Sequence, residues 1–179
     1  MLFSPISNLL LSAVPAFALS LNSANTISIL SNTSPSRNTL LANAIVGKNN
    51  ASSVECWAVE PGFQISPTTG NDILQLGNLS GASYSQWPNT GSPIDLGFHN
   101  APAVQWVLMI VGGANITFPD LTTHNLTVSP GELFIAADVA GTSAVGHRTV
   151  GDSGSIVLQM PFQEGTVVNH IVVNEGTCH

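Results

Sequence analysis

Residues 97–113 of the chain, GFHNAPAVQWVLMIVGG, contain one histidine, one glutamine and an apolar run that ends in two glycines. Alternate residues of a β-strand point to the same face. If the run is extended, His99 and Gln105 share a face with small and apolar neighbours, as a ligand or metal pocket requires. The opposite face is also apolar and needs a cover, from the N-terminal segment or from a second copy of the chain; it consists of Val104, Trp106, Leu108 and Ile110.

Around this run, short apolar stretches alternate with Gly, Pro, Asn or Asp at the spacing typical of an all-β sandwich or barrel. The apolar patch at residues 40–46 could form a short helix. Gly112-Gly113 predicts a hairpin, and Ser129-Pro130-Gly131 predicts a tight turn before a new strand. Strands are predicted at residues 54–59, 63–66, 73–76, 82–87, 104–111, 115–118, 126–128, 133–136, 155–160 and 167–173.

Length and charge limit the classes of function. The chain has 179 residues and 44% apolar content, which suits a single domain with one core. Its formal net charge is −7, because only Arg37, Lys48 and Arg148 oppose ten carboxylates. Binding that depends on neutralising phosphates is nearly excluded, so nucleic acids and anionic membranes are not expected partners.

The N-terminus and the asparagines indicate a secreted glycoprotein. Residues 9–18, LLLSAVPAFA, form a short apolar run that closes on a small-X-small pattern, although no Lys or Arg precedes it. This run is too short to span a bilayer. We assign residues 1–18 to a signal peptide and expect no membrane contact after its cleavage. Five Asn-X-Ser/Thr sequons are predicted glycosylation sites and begin at Asn32, Asn50, Asn78, Asn115 and Asn125.

The two cysteines, Cys56 and Cys178, are consistent with that compartment. In an oxidising environment the simplest arrangement is one disulfide, which joins the C-terminal tail to an early strand. On the chain-entropy model, a loop of this length stabilises the fold by roughly 4 to 5 kcal/mol. The alternative is two free buried thiols.

Two groups of residues between Gly97 and His147 have the spacing of a known pair of motifs. The first group places His99, Ala101, Gln105 and Gly112 at the His, His, Glu and final Gly of G-X5-H-X-H-X3-4-E-X6-G. The second group, Gly131-Glu132, Ala137 and His147, stands at Gly-Asp, Pro and His, with an insertion at residues 139–145. In both groups the chain resembles the cupins, a superfamily of small β-barrels. Its composition is similar to that of small secreted fungal cupins.

The resemblance implies a single cupin-like (jelly-roll) β-barrel with an N-terminal extension, which assigns residues 19–53 to the extension and 54–179 to the barrel domain. A cupin metal site usually has three imidazoles and a carboxylate. Here a divalent metal would be held by His99, Gln105 and His147, with Asp138 as the best extra ligand by position. Two imidazoles and a neutral amide leave the charge of the ion uncompensated, which weakens its binding. Dimers that pair sheet against sheet are common in the family, so a homodimer is also expected.

Two functions follow, and both remain open at this point. The first is an enzyme in which His99, Gln105 and His147 are catalytic, with or without a divalent metal. Isomerase, cyclase, lyase and dioxygenase chemistry all fit such a site. The second is a metal-free module that binds or stores a small apolar or aromatic organic molecule, with the histidines as hydrogen-bond anchors.

A competing pattern is the run 151–155, GDSGS, which resembles the GDSGG nucleophile loop of chymotrypsin-like proteases. His99, Asp138 and Ser153 occur in the protease order, but they are too close in the chain for a double barrel. A polar turn is the preferred interpretation. Among the other polar residues, Arg148 is expected to pair with a surface carboxylate, His124 to be solvated, His170 to face the interior or solvent, and His179 to lie at a frayed end.

Overall fold

The computed structural model describes residues 39–66, 70–119 and 125–179. Throughout these ranges the protein is all-β, as predicted, and no helix within them could span a membrane. The predicted signal peptide, the sequon at Asn32, and His124 lie outside the described residues. The thirteen strands are β1 Leu40–Lys48, β2 Ala51–Val59, β3 Gln64–Ile65, β4 Asp72–Ile73, β5 Ser83–Gln86, β6 Ile94–His99, β7 Gln105–Val111, β8 Ala114–Thr117, β9 Leu126–Val128, β10 Leu133–Ala136, β11 His147–Gly151, β12 Ile156–Pro161 and β13 His170–Glu175.

Seven strands form the larger sheet, in the order β13-β2-β1-β10-β7-β12-β5. The pair β1 and β10 is parallel, and the other neighbours are antiparallel. Both faces of this sheet are buried over much of its area. On β7, for example, Val107 and Met109 belong to one apolar cluster, whereas Trp106 belongs to a second cluster on the other face. This two-sided burial explains why β7 is an almost continuous hydrophobic run.

The smaller sheet has four antiparallel strands in the order β6-β11-β8-β9, and β3 pairs with β4 separately. Its strands alternate in burial: Ala114 and Ile116 of β8 are buried, whereas Asn115 between them is exposed. The buried face packs against the larger sheet in one core that contains residues of both. Apart from the β3–β4 pair, the described strands form two facing sheets, and no closed barrel is present among them.

Residues 40–46 form part of β1, so the predicted helix is wrong. The patch is too short for its apolar pattern to distinguish a helix from a strand, and pairing decides the outcome. A tight turn at Asn49-Asn50, with φ of 53° and 63°, joins β1 to β2; these are the left-handed values that a two-residue hairpin turn needs and that asparagine tolerates. Because β1 lies between β2 and β10, the segment assigned to an N-terminal extension, residues 19–53, supplies a strand inside the larger sheet.

The predicted hairpin at Gly112-Gly113 is also wrong. Strand β7, before the glycines, lies in the larger sheet, and β8, after them, lies in the smaller sheet. The glycines therefore carry the chain between sheets. Gly112 has a φ of 77°, and a Cβ there would lie 2.2 Å from Ser155 Oγ, so the crossing has no room for a side chain.

The turn at residues 129–131 is confirmed. The Glu132 N–H donates to the Ser129 carbonyl at 3.1 Å, and β10 begins at Leu133. Gly131 has a φ of 88°, in the left-handed region where glycine carries no Cβ penalty.

The predicted disulfide is confirmed: Cys56 of β2 is bonded to Cys178 near the C-terminus, 122 residues away. The tail is also held by a hydrogen bond from the Cys178 N–H to Asn43 Oδ1 at 2.7 Å. The C-terminus is thereby attached to both strands of the first hairpin.

Trp106, on the outer face of the larger sheet, is covered by residues of its own chain. Its side chain is only 1% exposed, and its Nε1–H donates to the Leu76 carbonyl at 3.0 Å. The indole also contacts the Phe162 ring, with centroids 6.0 Å apart. Leu76 and Phe162 thus supply part of the cover at this position, and the homodimer stays a prediction.

Candidate functional site

A cavity of about 380 Å³ lies between the two sheets. This volume is at the lower end of the range for small-molecule sites, about 300–1,000 Å³. Strands β5, β7, β10 and β12 line it from the larger sheet, and all four strands of the smaller sheet line it from the other side. Leu96 of the edge strand β6 belongs to the lining and is 45% exposed, so the cavity reaches solvent beside that edge.

One end of the cavity is polar. His99, the last residue of β6, lies directly opposite His147, the first residue of β11, and their ring centroids are 4.6 Å apart. Residues 100–104 then carry the chain to Gln105, the first residue of β7 in the facing sheet. All three side chains line the cavity. The predicted grouping of His99 with Gln105 is therefore observed, but it arises from two strands in two sheets instead of from one extended strand.

A β-bulge in β6 sets the direction of His99. Leu96 and Gly97 together face Thr149 of β11, and Gly97 has a φ of 67°. The extra residue changes the side-chain phase, so that Leu96 and His99 both face the cavity although they are three positions apart. The His99 Nδ1 lies 3.1 Å from the Gly97 carbonyl oxygen, so the same bulge also fixes the ring.

His147 is oriented by a buried carboxylate. Its Nδ1 lies 2.7 Å from Asp138 Oδ2, which also accepts a hydrogen bond from Ser52 Oγ at 2.6 Å. Asp138 is 0% exposed and is not part of the cavity wall. Its second oxygen, Oδ1, has no hydrogen-bond partner among the described residues. A carboxylate behind an imidazole holds the ring in one orientation and leaves the other nitrogen, Nε2, for the cavity.

The loop at residues 137–146 carries Asp138 to this position. The Asn100 side-chain amide donates to the Asp138 carbonyl at 2.9 Å and to the Ser143 carbonyl at 3.2 Å. Gly146, with a φ of 77°, passes so close to His99 that a Cβ would lie 2.0 Å from the His99 carbonyl oxygen. The run identified as an insertion, residues 139–145, therefore belongs to the loop that places the carboxylate behind His147.

The opposite end of the cavity is largely apolar, although Ser85, paired with Val157, also lines it. Along β11, His147 faces His99, whereas Gly151 faces Ala114 at the far end. Met109 and Val128 line this end together with Ala114. Trp87 also belongs to the lining, and its ring packs directly on β11, since a Cβ on Gly151 would lie 1.5 Å from the indole. The cavity is thus amphipathic along its length.

Gln105 contributes to the polar end a side-chain amide that is available for hydrogen bonding to a ligand. The residue is buried, and its side chain makes no hydrogen bond to any residue within the described ranges. An amide offers both donors and an acceptor. Gln105 is therefore able to pair with either type of ligand group.

Arg148 points away from the cavity, as predicted. It is exposed on the outer face of β11 and forms a bidentate ion pair with Asp95, with 3.1 Å between Arg148 Nε and Asp95 Oδ1. The pKa of Asp95 is lowered to about 2, first by the hydrogen bonds from Arg148 and next by one from the Gly97 N–H. The ion pair braces β6 against β11 on the side opposite the histidines.

Ser153 lies in a turn and not beside a histidine. Its Oγ accepts hydrogen bonds from the Thr90 N–H at 2.7 Å and the Gly91 N–H at 2.9 Å. Asp138 bonds to His147 instead of His99, so the residues of the protease pattern are not brought together. The polar-turn interpretation accounts for the run 151–155.

His170 takes no part in the cavity. It is an exposed residue at the start of β13, where its ring stacks on Trp57 with centroids 3.5 Å apart and planes 9° from parallel. Its Nδ1 lies 2.7 Å from the Val168 carbonyl oxygen. Of the two positions predicted for His170, the structure therefore shows the one toward solvent.

The donor set suits a divalent metal poorly. His99, His147 and Gln105 offer only neutral ligands, and the described residues contain no group of three or more His, Cys, Asp or Glu side chains arranged for a metal. Asp138, the expected extra ligand, lies behind His147 and has its Oδ2 engaged. The residues present therefore do not fit the metal that the cupin resemblance implies.

Comparison of the chain with protein-family models, with curated proteins and with solved structures found no match. The cupin resemblance accordingly remains a prediction from the residues quoted above. Since one fold can support many chemistries, function is best inferred from the cavity itself.

Proposed function

We propose that the eight consecutive strands β5 to β12 form a cupin-like jelly roll. Their order supports this: β10-β7-β12-β5 in one sheet faces β6-β11-β8-β9 in the other, the arrangement that two interlocked Greek keys produce. The residues that resemble the two cupin motifs, His99, Gln105 and His147, meet at one end of the space between these sheets. Strands β1, β2 and β13 then extend the larger sheet past β10 and lie outside the jelly roll.

We propose that the protein binds a small, largely apolar organic molecule in this cavity. The observation that carries the proposal is the amphipathic lining. Met109, Ala114 and Val128 line the apolar end, and His99, Gln105 and His147 line the polar end. Burial of about 150 Å² of apolar ligand surface contributes roughly 4 kcal/mol. A neutral hydrogen bond contributes only about 0.5–1.5 kcal/mol. The apolar end therefore supplies most of the affinity, and the polar end sets the orientation.

The proposal places this function outside the cell. The disulfide between Cys56 and Cys178 supports that location, because disulfides persist in oxidising compartments. The sequon asparagines that the structure describes are all exposed, as glycan attachment requires; they are Asn50, Asn78, Asn115 and Asn125.

A second candidate function is acid–base catalysis on the bound molecule, and the pairing of His147 with Asp138 favours it. A proton taken by His147 Nε2 would leave an imidazolium that the Asp138 carboxylate, 2.7 Å from Nδ1, stabilises. In this candidate His147 is the catalytic residue and Asp138 positions it. Chemistry of this kind moves protons within the substrate and needs no further reactant, as in an isomerisation.

Filling the cavity is expected to weaken binding strongly. Ala136 lines the cavity next to Gln105 on the neighbouring strand, so Ala136→Phe places a ring where the ligand would lie. We expect calorimetry to show at least about a tenfold loss of affinity for para-ethylphenol, which corresponds to a loss of about 1.4 kcal/mol or more in binding free energy. The neighbouring substitution Ala137→Phe, at a partly buried residue on the outer cluster, is the matched control and is expected to preserve binding. Equal affinities of the two variants would contradict the proposal.

A further inference from the structure

We infer that the polar end of the cavity recognises a hydrogen-bond donor, so that the ligand carries a hydroxyl group of the phenol or enol type. The inference rests on the proposed binding function and names the ligand class. It follows from which nitrogen of each histidine ring is already engaged by the protein.

The tautomer of His99 is set by its backbone partner. Nδ1 lies 3.1 Å from the Gly97 carbonyl oxygen, and a carbonyl oxygen can only accept. Nδ1 therefore carries the proton. In a neutral ring the other nitrogen, Nε2, is then an acceptor, and it belongs to a side chain that lines the cavity.

The tautomer of His147 is set by Asp138. An ionised carboxylate is an acceptor only, and Oδ2 already accepts from Ser52, so His147 Nδ1 is again the donor. Nε2 of the neutral ring is an acceptor as well. Two adjacent imidazoles, with ring centroids 4.6 Å apart, thus present acceptors to the same end of the cavity.

A hydroxyl matches this arrangement better than other oxygen groups. Its hydrogen can be donated to an Nε2 of His99 or His147, while its oxygen accepts from the Gln105 amide. A ketone or ether oxygen could accept from Gln105 but has no hydrogen for either imidazole, so it leaves both Nε2 atoms unpaired, which is costly in a buried site. A carboxylate is disfavoured further, because neither Lys48 nor Arg148, the cations among the described residues, lines the cavity.

Three probes of similar size test the ligand class separately from the binding function. Para-ethylphenol can donate a hydrogen bond, and para-ethylfluorobenzene has a similar shape but no donor. Acetophenone can only accept a hydrogen bond. Calorimetric titrations of the purified protein at pH 8, where free imidazole is neutral, measure all three. We expect the phenol to bind about tenfold more tightly than the other two, because it alone gives an imidazole Nε2 a hydrogen-bond partner in the buried site.

A pair of variants tests the role of the imidazoles. His99→Phe keeps a ring but removes an acceptor, and we expect the preference for the phenol to fall by about threefold or more while the fluorobenzene affinity is kept. His170→Phe is the matched control. His170 lies outside the cavity and stacks on Trp57, so the preference is expected to stay unchanged.

The tautomers can also be read without any variant, by ¹⁵N NMR of the two rings. The inference predicts a proton on Nδ1 and none on Nε2 for both His99 and His147. Protonated Nε2 atoms at pH 8, equal affinities for the three probes, or tighter binding of acetophenone would each overturn it while leaving the cavity as a binding site. Failure of all three probes to bind would overturn the proposed function and this inference together.

Discussion

The Cys56→Ala/Cys178→Ala double variant is expected to lose about 4 kcal/mol of the free energy of unfolding. The disulfide joins β2 to the C-terminal tail across 122 residues, so its removal frees a long loop in the unfolded chain. Loop closure is the main source of stabilisation by a long-range disulfide on the chain-entropy model. Since typical domains are stable by about 5–15 kcal/mol, this loss would be a large part of the total.

Urea unfolding followed by tryptophan fluorescence measures the effect, with the wild-type protein as reference. The cavity is lined by neither cysteine, so the affinity for para-ethylphenol is expected to stay unchanged wherever the variant is folded. A loss below about 1 kcal/mol would show that the tail is held by its other contacts, such as the bond from the Cys178 N–H to Asn43, and not by the disulfide.

His147→Ala is expected to lower the free energy of unfolding by about 3 kcal/mol. The substitution removes the ring that lies 2.7 Å from Asp138 Oδ2 and leaves a fully buried carboxylate with Ser52 as its remaining partner. Removing only the donor is more damaging than also replacing the acceptor, because the buried carboxylate then lacks the hydrogen bond from His147 Nδ1. Asp138 Oδ1, which already lacks a partner among the described residues, makes this site less tolerant still.

The double variant His147→Ala/Asp138→Asn tests that explanation. A neutral amide at position 138 removes the buried charge and keeps the shape, so the double variant is expected to be more stable than His147→Ala alone. His99→Ala is the matched single control and is expected to cost less, about 1 to 2 kcal/mol, because His99 bonds only to a neutral backbone carbonyl. Equal losses for His99→Ala and His147→Ala would contradict the assigned role of the carboxylate.

The regular strands could be predicted from the sequence, whereas two strands that carry the site could not. The runs at β7, β8, β9, β10 and β12 are apolar or alternate, and each was predicted within one or two residues. β6 and β11 were not predicted as strands. The bulge at Gly97 breaks the alternation of apolar and polar residues in β6. Strand β11 has the polar sequence HRTVG, and one of its faces is buried only because the larger sheet covers it.

The site residues were found from motif spacing, but their roles depend on contacts that spacing does not contain. The position of Asp138 in the chain suggested a metal ligand. Its actual place behind His147 is fixed by the loop 137–146, through the bonds from Asn100 and the close approach of Gly146 to His99. Loops of this kind have no periodicity, so no pattern in the sequence could give the direction of the carboxylate. Ser52, the other partner of Asp138, lay in the segment assigned to an extension.

Binding of a small organic molecule between the two sheets can be followed residue by residue with methyl NMR during a titration with para-ethylphenol. Met109 lines the apolar part of the cavity, whereas Met160, which is also buried, belongs to the cluster on the other face of the same sheet. If the cavity is the binding site, we expect a saturable shift of the Met109 methyl signal and an unchanged Met160 signal. An unchanged Met109 signal at saturating probe, or a shift confined to Met160, would contradict it.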